Sequence, residues 1–369
     1  MENIPLRVGL GGFMNIGQTC YLSSILQLLL NCESLLCFVN EESINNYIKY
    51  VNNSENCIFK SFVLMLNNIK IGTTVFYPTN FKNYINEKIP FLIDGSQKDA
   101  HEIFNIILDM MYEECVIKAN IKIKNVNDKI IKYNELKKLL HRTPENKKHN
   151  IISEMNTLIS ENIESFKKYN GFKYIEKIYN NKYNPFSESI FTFIIYKIEC
   201  NNCNRTSYNF VHEPMIQIDI KSTLYDGFDD YVNQQPTDYK CENCKSNNVS
   251  KTCAIYRNPP ILFIHLKRFE RNGYNYEKNN EIVNIPDTLN IQKYCDSSIR
   301  NDNFNYYNYK LCGFINHHGS INGGHYTADC CNFFDNNWYH YDDDSISMHR
   351  NNNNINKNNA YILQYKIIN

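Results

Sequence analysis

Two Cys-x-x-Cys pairs, Cys200-Asn201-Asn202-Cys203 and Cys241-Glu242-Asn243-Cys244, leave the middle of this chain few geometries to choose from. Four thiolates at this spacing favour a tetrahedral Zn²⁺, and the stretch between Cys203 and Cys241 suits two β-hairpin knuckles that face each other. All four ligands would come from the chain, so no coordination position stays open and the expected role is structural. A redox role for one pair would require a thioredoxin-like βαβ context, which the flanking sequence does not offer. A nucleic-acid-binding zinc ribbon would call for a basic excess. The chain instead balances 39 Lys and Arg against 39 Asp and Glu, so direct nucleic-acid binding is not expected.

The 369 residues suffice for one large or two ordinary domains. Residues 1–10 lack a basic region followed by an apolar stretch, so no secretory signal is expected. The most apolar segment, 20–39, is interrupted by Ser23, Ser24, Gln27, Asn31, Glu33 and Ser34, which suits a buried helix and not a membrane span. The 14 cysteines then read as reduced thiols or metal ligands, in the cytosol or nucleus.

Residues 11 to about 114 read as mostly helical. Leu22, Ile25, Leu26, Leu29 and Leu30 share one face behind Cys20. A second helix is expected from about Gln97, with the stripe Ala100, Ile103, Phe104, Ile107, Leu108 and Met111. Ser96 is its expected cap, and Asp99 would lie in its first turn. Residues 116–184 are richer in Lys, Asn, Glu and Ile. Two amphipathic runs, Ile130 to Leu140 and Ile151 to Phe166, are separated by Pro144, which predicts a helical hairpin. It reads as a surface insertion, with a partner-binding arm as the alternative. From Ile190 the period changes to that of strands: Ile216 to Ile220 alternates, and Ile261 to Leu266 is a buried run. Further strands are expected at 309–315, 326–330, 338–341 and 361–367. Helices first and strands later predict an α+β fold.

Chemistry gathers at the two ends. In Gly11-Gly12-Phe13-Met14-Asn15-Ile16-Gly17-Gln18-Thr19-Cys20-Tyr21, a cysteine follows a Gly-containing loop at a helix start. Free N–H groups and the helix dipole favour a thiolate there. Asn15 could donate a hydrogen bond to an oxyanion. Taken alone, Cys20 would read as a small buried residue, as do Cys32, Cys37, Cys57, Cys115, Cys253, Cys295, Cys312, Cys330 and Cys331. It is set apart by Gly323-Gly324-His325-Tyr326-Thr327 and Trp338-Tyr339-His340-Tyr341-Asp342-Asp343. His325 is expected to begin a strand, and a returning strand could set an aspartate beside its imidazole, fixing the tautomer. Asp342 is the first candidate. Asp343 is the fallback, or a water-mediated helper at the oxyanion.

With these blocks in hand, the chain resembles the ubiquitin-specific proteases over 11–115 and about 186–367. The resemblance rests on Asn-x-Gly-x-Thr-Cys-Tyr (15–21), Gln-x-Asp-Ala-His-Glu (97–102), the four cysteines, the run from Pro260 to Phe269, and the Gly-Gly-His-Tyr-Thr and Trp-Tyr-x-Tyr-Asp-Asp blocks. It implies a papain-like fold of helical thumb, zinc-bound fingers (about 186–260) and sheet palm (about 261–369), forming a single catalytic domain over 11–369. The implied activity is a deubiquitinating cysteine protease that cleaves after ubiquitin's C-terminal glycine. Cys20 would be the nucleophile, His325 the base, Asp342 its partner and Asn15 the oxyanion donor. Asp99 would lie near ubiquitin's basic tail, and His317 would be the family's additional channel histidine. Gln97, Gly324 and Tyr326 belong to the same matching blocks and complete the substrate-contact set. Ubiquitin and ubiquitylated proteins are the implied partners, with no membrane role.

Within the family, Gln-Lys-Asp-Ala-His-Glu, His-Leu-Lys-Arg-Phe-Glu and Asn-His-His-Gly-Ser look similar to the deubiquitinase of SAGA-type coactivator complexes, which acts on ubiquitylated histone H2B. That resemblance brings in an activating complex as a partner. Three departures stand out: Lys98 replaces the family's usual Gln, the insertion at 116–184 is longer than the family's usual connection there, and the nucleophile block begins at residue 11, so the N-terminal zinc-finger domain of such enzymes is expected to be absent. The alternatives from other classes are an inactive ubiquitin-binding scaffold and a zinc-stabilised interaction protein. The first would be expected to lack the Cys, His or Asp, and the second would show a basic face.

Overall fold

The leucine-rich stripe behind Cys20 folds as α1 (Cys20–Leu30) and is buried on every side, including the polar residues that interrupt it. Those polar groups are satisfied locally. The Ser24 hydroxyl donates to the Cys20 carbonyl at 2.9 Å, and the Gln27 amide donates to the Gly11 carbonyl at 2.6 Å. A helix buried on every side must find its partners in tertiary packing, and α1 does so against the sheet described below. This computed structural model describes residues 10–32, 57–70, 75–90, 92–116, 119–233, 237–272, 275–299, 307–320, 323–332, 334–351 and 355–368. The expected continuation of the first helix over 33–39, with Cys37, lies outside the described residues, as does 352–354.

Around α1 stand β1 (Gly12–Phe13), α2 (Ile58–Lys70), β2 (Val75–Phe76), α3 (Thr79–Lys88) and α4 (Ala100–Glu114), with β1 and β2 paired in parallel. Ile103, Phe104, Ile107, Leu108 and Met111 of α4 are buried as their spacing requires. The cap differs from the expectation. Asp99 is the N-cap, its carboxylate accepting from the His101 N–H at 2.7 Å, whereas Ser96 is turned to Asp94. A carboxylate is the stronger acceptor for orphan N–H groups at a helix start, where the dipole also favours negative charge.

The expected hairpin over 116–184 is a set of three helices: α5 (Asp128–Arg142), α6 (Lys148–Glu161) and α7 (Ile163–Lys182). Pro144 separates α5 from α6, as read from the sequence. The second run does not end at Phe166, because α7 carries on and buries Ile175 and Tyr179 in the main core. An extended stretch is tied to α7 by Asn180, whose side chain bonds both the N–H and the carbonyl of Ile121.

After α8 (Pro185–Ile190), strands β3 (Thr192–Cys200), β4 (Thr206–Glu213) and β6 (Val249–Arg257) form an antiparallel sheet in the order β4-β3-β6. Between β4 and β6 lie β5 (Ile216–Asp219) and α9 (Leu224–Val232). The larger sheet takes β5 together with β7 (Ile261–Lys267), β11 (Asn308–Ser320), β12 (Gly323–Cys331), β13 (Trp338–Asp342), β14 (Ser345–Met348) and β15 (Ala360–Ile367), in the order β14-β13-β12-β11-β15-β7-β5. A small hairpin of β8 (Phe269–Asn272) and β9 (Asn275–Lys278) stands apart, and β10 (Thr288–Asn290) pairs with β11. One core joins α1, α2 and α4 to one side of the large sheet through Tyr326, Ala328, Cys330 and Tyr341. Cys32, Cys57, Cys115, Cys253, Cys295 and Cys330 are buried as expected, while Cys312 and Cys331 are half-buried.

Arg268 has no counterpart in the sequence reading. It is 1% exposed and donates to the carbonyls of Ala360, Asn279, Glu281 and Asn358 at 2.7–3.1 Å. A buried guanidinium is tolerated where its fork of donors is satisfied. An arginine set between the run 261–266 with its Lys267 and the aromatic Phe269 was the signal that could have revealed it.

Candidate active site and metal centre

Cys20 is the first residue of α1 and is 3% exposed. Burial pushes its thiol up from the ordinary value. The backbone N–H groups of Tyr326, Tyr21 and Cys20 oppose that shift, and the charge of Asp343 adds to it. The upward direction runs against the stabilisation of a thiolate expected from the helix start, because desolvation of the charged form outweighs the nearby N–H donors. The Tyr326 N–H has a second meaning. It brings β12 to the sulfur, and the residue before Tyr326 is His325.

His325 is the third residue of β12, inside the strand and not at its start. Its Nε2 lies 2.5 Å from Oδ1 of Asp342, the last residue of β13. Of the two aspartate candidates, Asp342 is the one that meets the imidazole, and Asp343 makes other contacts. Asp343 sits in the turn after β13 with φ of 51°. Its Oδ2 accepts from Asn15 Nδ2 at 2.9 Å, and its carbonyl accepts from the Phe13 N–H at 2.9 Å. Asn15 Oδ1 in turn accepts from the N–H groups of Gly17 at 3.2 Å and Thr19 at 3.1 Å. This fixes the amide rotamer and leaves one hydrogen of Nδ2 for another acceptor.

The remaining candidates line one wall. Gln97 clamps Gly324 from both sides, donating to its carbonyl at 2.5 Å and accepting from its N–H at 2.8 Å. Asp99 accepts from the Tyr361 hydroxyl at 2.7 Å besides capping α4, so its carboxylate is engaged within the protein. His317 is buried against the rings of Phe269 and Tyr326. Burial, then the charge of Lys278, pushes it down to about 4. Gln97, Lys98, Asp99, Glu102, Phe269, His317 and Tyr326 surround a cavity of about 450 Å³. Lys98 pairs with Asp94 at 3.2 Å.

The four cysteines converge at the tips of β3 and β6. Their sulfurs all lie within 4.8 Å of one another, with Cys200 to Cys244 at 3.4 Å and Cys203 to Cys241 at 3.6 Å. Tetrahedral zinc with bonds of about 2.3 Å sets its sulfurs roughly 3.8 Å apart, so this group could hold one. The Asn243 side chain and the Arg205 N–H pull the Cys203 thiol down to about 6, and the Cys244 N–H lowers Cys241. Such donors favour, at Cys203 and Cys241, the thiolate form that zinc requires, whereas the Cys244 thiol, although the Ser246 N–H opposes it, is pushed up to about 11 by the neighbouring Cys200 sulfur.

Comparison with known proteins agrees with this geometry. The ubiquitin carboxyl-terminal hydrolase profile matches residues 11–365. The chain belongs to that family. It is a thiol-dependent hydrolase of the ubiquitin-specific protease type. A probable ubiquitin carboxyl-terminal hydrolase, R319, of Acanthamoeba polyphaga mimivirus is 27% identical, over 97% of this chain and 90% of that protein. Ubiquitin carboxyl-terminal hydrolase 4 of Eremothecium gossypii is 25% identical over 92% of this chain, which spans only 41% of that longer relative. The fold matches the SAGA deubiquitinase module of Ubp8, Sgf11, Sus1 and Sgf73 bound to monoubiquitin, with a TM-score of 0.70 and 20% identity, covering all of this chain and 71% of that one. The α+β, papain-like expectation holds.

Proposed function

We propose that this deubiquitinase works through Cys20, His325 and Asp342, with Asn15 as oxyanion donor, and hydrolyses the bond after ubiquitin's C-terminal glycine. The observation that carries the assignment is the 2.5 Å contact from His325 Nε2 to Asp342, on a strand whose next N–H reaches the Cys20 sulfur. With Nε2 held by the carboxylate, Nδ1 is the nitrogen that takes the thiol proton. The sulfur then attacks the glycine carbonyl. Asn15 Nδ2 donates its second hydrogen to the oxyanion while Asp343 holds the first. His325 returns its proton to the leaving lysine amine, and a thioester remains on Cys20. Water, deprotonated by His325, attacks the thioester and frees ubiquitin's carboxylate and the thiol.

Raising the thiol by burial makes proton transfer to His325 part of the attack. The cavity lined by Lys98, Asp99, Glu102, Phe269 and Tyr326 sets two carboxylates against one ammonium, which pairs with Asp94, beside two aromatic rings, and suits an extended, partly apolar tail. The four cysteines bind one structural zinc, which ties the tips of β3 and β6 where ubiquitin's body would rest. Residues 11–369 act as one catalytic domain, carrying the helices of 116–184 as an insertion. Ubiquitylated histone H2B is the candidate substrate, within an activating complex in the nucleus or cytosol. The motif resemblance to the SAGA-type enzyme and the fold match support that reading.

The test is reaction of the zinc-loaded protein with ubiquitin bearing a C-terminal thiol-reactive group, read by mass spectrometry. A ubiquitin-sized adduct on Cys20, absent from Cys20→Ala, is expected. An adduct on another cysteine, or none from folded protein that still binds ubiquitin, would overturn the assignment.

A further inference from the structure

A second His–Asp constellation lies farther along the strands that carry His325 and Asp342. Asp329 of β12 is 3% exposed and is the direct cross-strand partner of His340 on β13. Its Oδ1 accepts from His340 Nδ1 at 2.9 Å and from His349 Nε2 at 2.6 Å, and its Oδ2 accepts from Asn316 Nδ2 at 2.6 Å. His349 follows β14 and is fixed by its own N–H, which donates to the Trp338 carbonyl at 2.9 Å. The two imidazole planes stand 83° apart, so two nitrogens and one oxygen converge on one point from different directions, all within 4.8 Å. The catalytic reading uses none of these three side chains.

We propose that Asp329, His340 and His349 bind a divalent transition-metal ion, separate from the four-cysteine site. Two imidazoles and a carboxylate suit Zn²⁺, Co²⁺ or Ni²⁺ and disfavour Mg²⁺ or Ca²⁺, which prefer all-oxygen shells. Ligands around tetrahedral zinc at about 2.0–2.1 Å stand roughly 3.3 Å apart. Admitting the ion therefore asks the Asp329 oxygen to draw back from each nitrogen by about half an ångström, a side-chain adjustment. The proton each ring now gives to Asp329 moves to that ring's other nitrogen. Asn316 on the second carboxylate oxygen is the outer-shell partner such sites use to orient a ligand. The His340 and His349 side chains remain 34% and 25% exposed, which gives the ion a way in and leaves room for water to complete its shell. The ion would join β12, β13 and β14 at one point. Those strands also carry His325 and Asp342, with Asp343 in the turn between β13 and β14.

Equilibrium dialysis of the full chain against Zn²⁺, with bound metal counted by elemental mass spectrometry, tests this directly. Two equivalents are expected for the wild type, and one each for His340→Ala and His349→Ala, with a larger zinc-dependent rise in melting temperature in the wild type than in either variant, which keep only the four-cysteine site. Titration with Co²⁺ of wild type preloaded with a single equivalent of Zn²⁺, which fills the four-cysteine site first, needs no variant: the added Co²⁺ equivalent should show ligand-field bands without thiolate charge transfer. Saturation of folded wild type at one equivalent would refute the site. So would a second equivalent that carries thiolate bands or persists in both variants.

Discussion

Gly323 and Gly324 adjoin in sequence, yet an added methyl should have opposite consequences at the two positions. A Cβ on Gly324 would stand 2.2 Å from His317 Nε2 and 2.6 Å from the His318 carbonyl oxygen, where ordinary contact begins near 3.4 Å. A Cβ on Gly323 would meet nothing within 4 Å. His317 has little room to yield, because the rings of Phe269 and Tyr326 stand 5.1 and 4.6 Å from it, centroid to centroid. The main-chain carbonyl belongs to β11, which is paired with β12 at His318 and tied to Asn359 by the His317 N–H one residue earlier. Relief must come from β12, which would break the Gln97 clamp and carry His325 with it. A displacement of roughly 1 Å at a reacting group costs about 10²-fold in rate, and overpacking costs about 1–3 kcal/mol of stability. Gly324→Ala should thus lose about 10² in kcat/KM on a fluorogenic ubiquitin C-terminal amide while remaining folded by circular dichroism. Gly323→Ala should stay close to the wild type in both. Equal kcat/KM for the two variants would refute the claim that β12 is pressed against His317 at Gly324.

Two further outcomes follow from the site. Asn15→Ala should lower kcat by about 10²–10³ in steady-state kinetics. Part of that loss should come from freeing Asp343 and the Gly17 and Thr19 N–H groups that Asn15 now holds, and full activity would remove Asn15 from the oxyanion role. His317 is pushed down to about 4 from an ordinary 6.5, so the unfolded chain binds more protons between those values and folding stability rises with pH across that window. The stability it contributes is complete above pH 6.5 and is lost as pH falls towards 4. His317→Gln should flatten the denaturation free energy by up to about 1.4 kcal/mol per pH unit in that window, and an unchanged slope would contradict the buried neutral imidazole.

The sequence by itself determined whatever depends on neighbours along the chain. The Cys-x-x-Cys spacings, the stripe of α1, the break at Pro144 and the alternation of β5 are local properties, fixed by the period of the backbone and the chemistry of adjacent residues. Ordered blocks around Cys20, Gln97 and His325 were enough to suggest the family and its chemistry. Tertiary structure decided the choices between residues of like character. Asp342 and Asp343 are indistinguishable as a sequence, but the end of β13 turns one towards His325 and the following turn aims the other at Asn15. The thiol of Cys20 is raised because burial is a property of the whole core and outweighs the local helix dipole. The convergence of Asp329, His340 and His349 has no signature in spacing, because cross-strand register and the path of a turn set it, and both are fixed only when the strands pair.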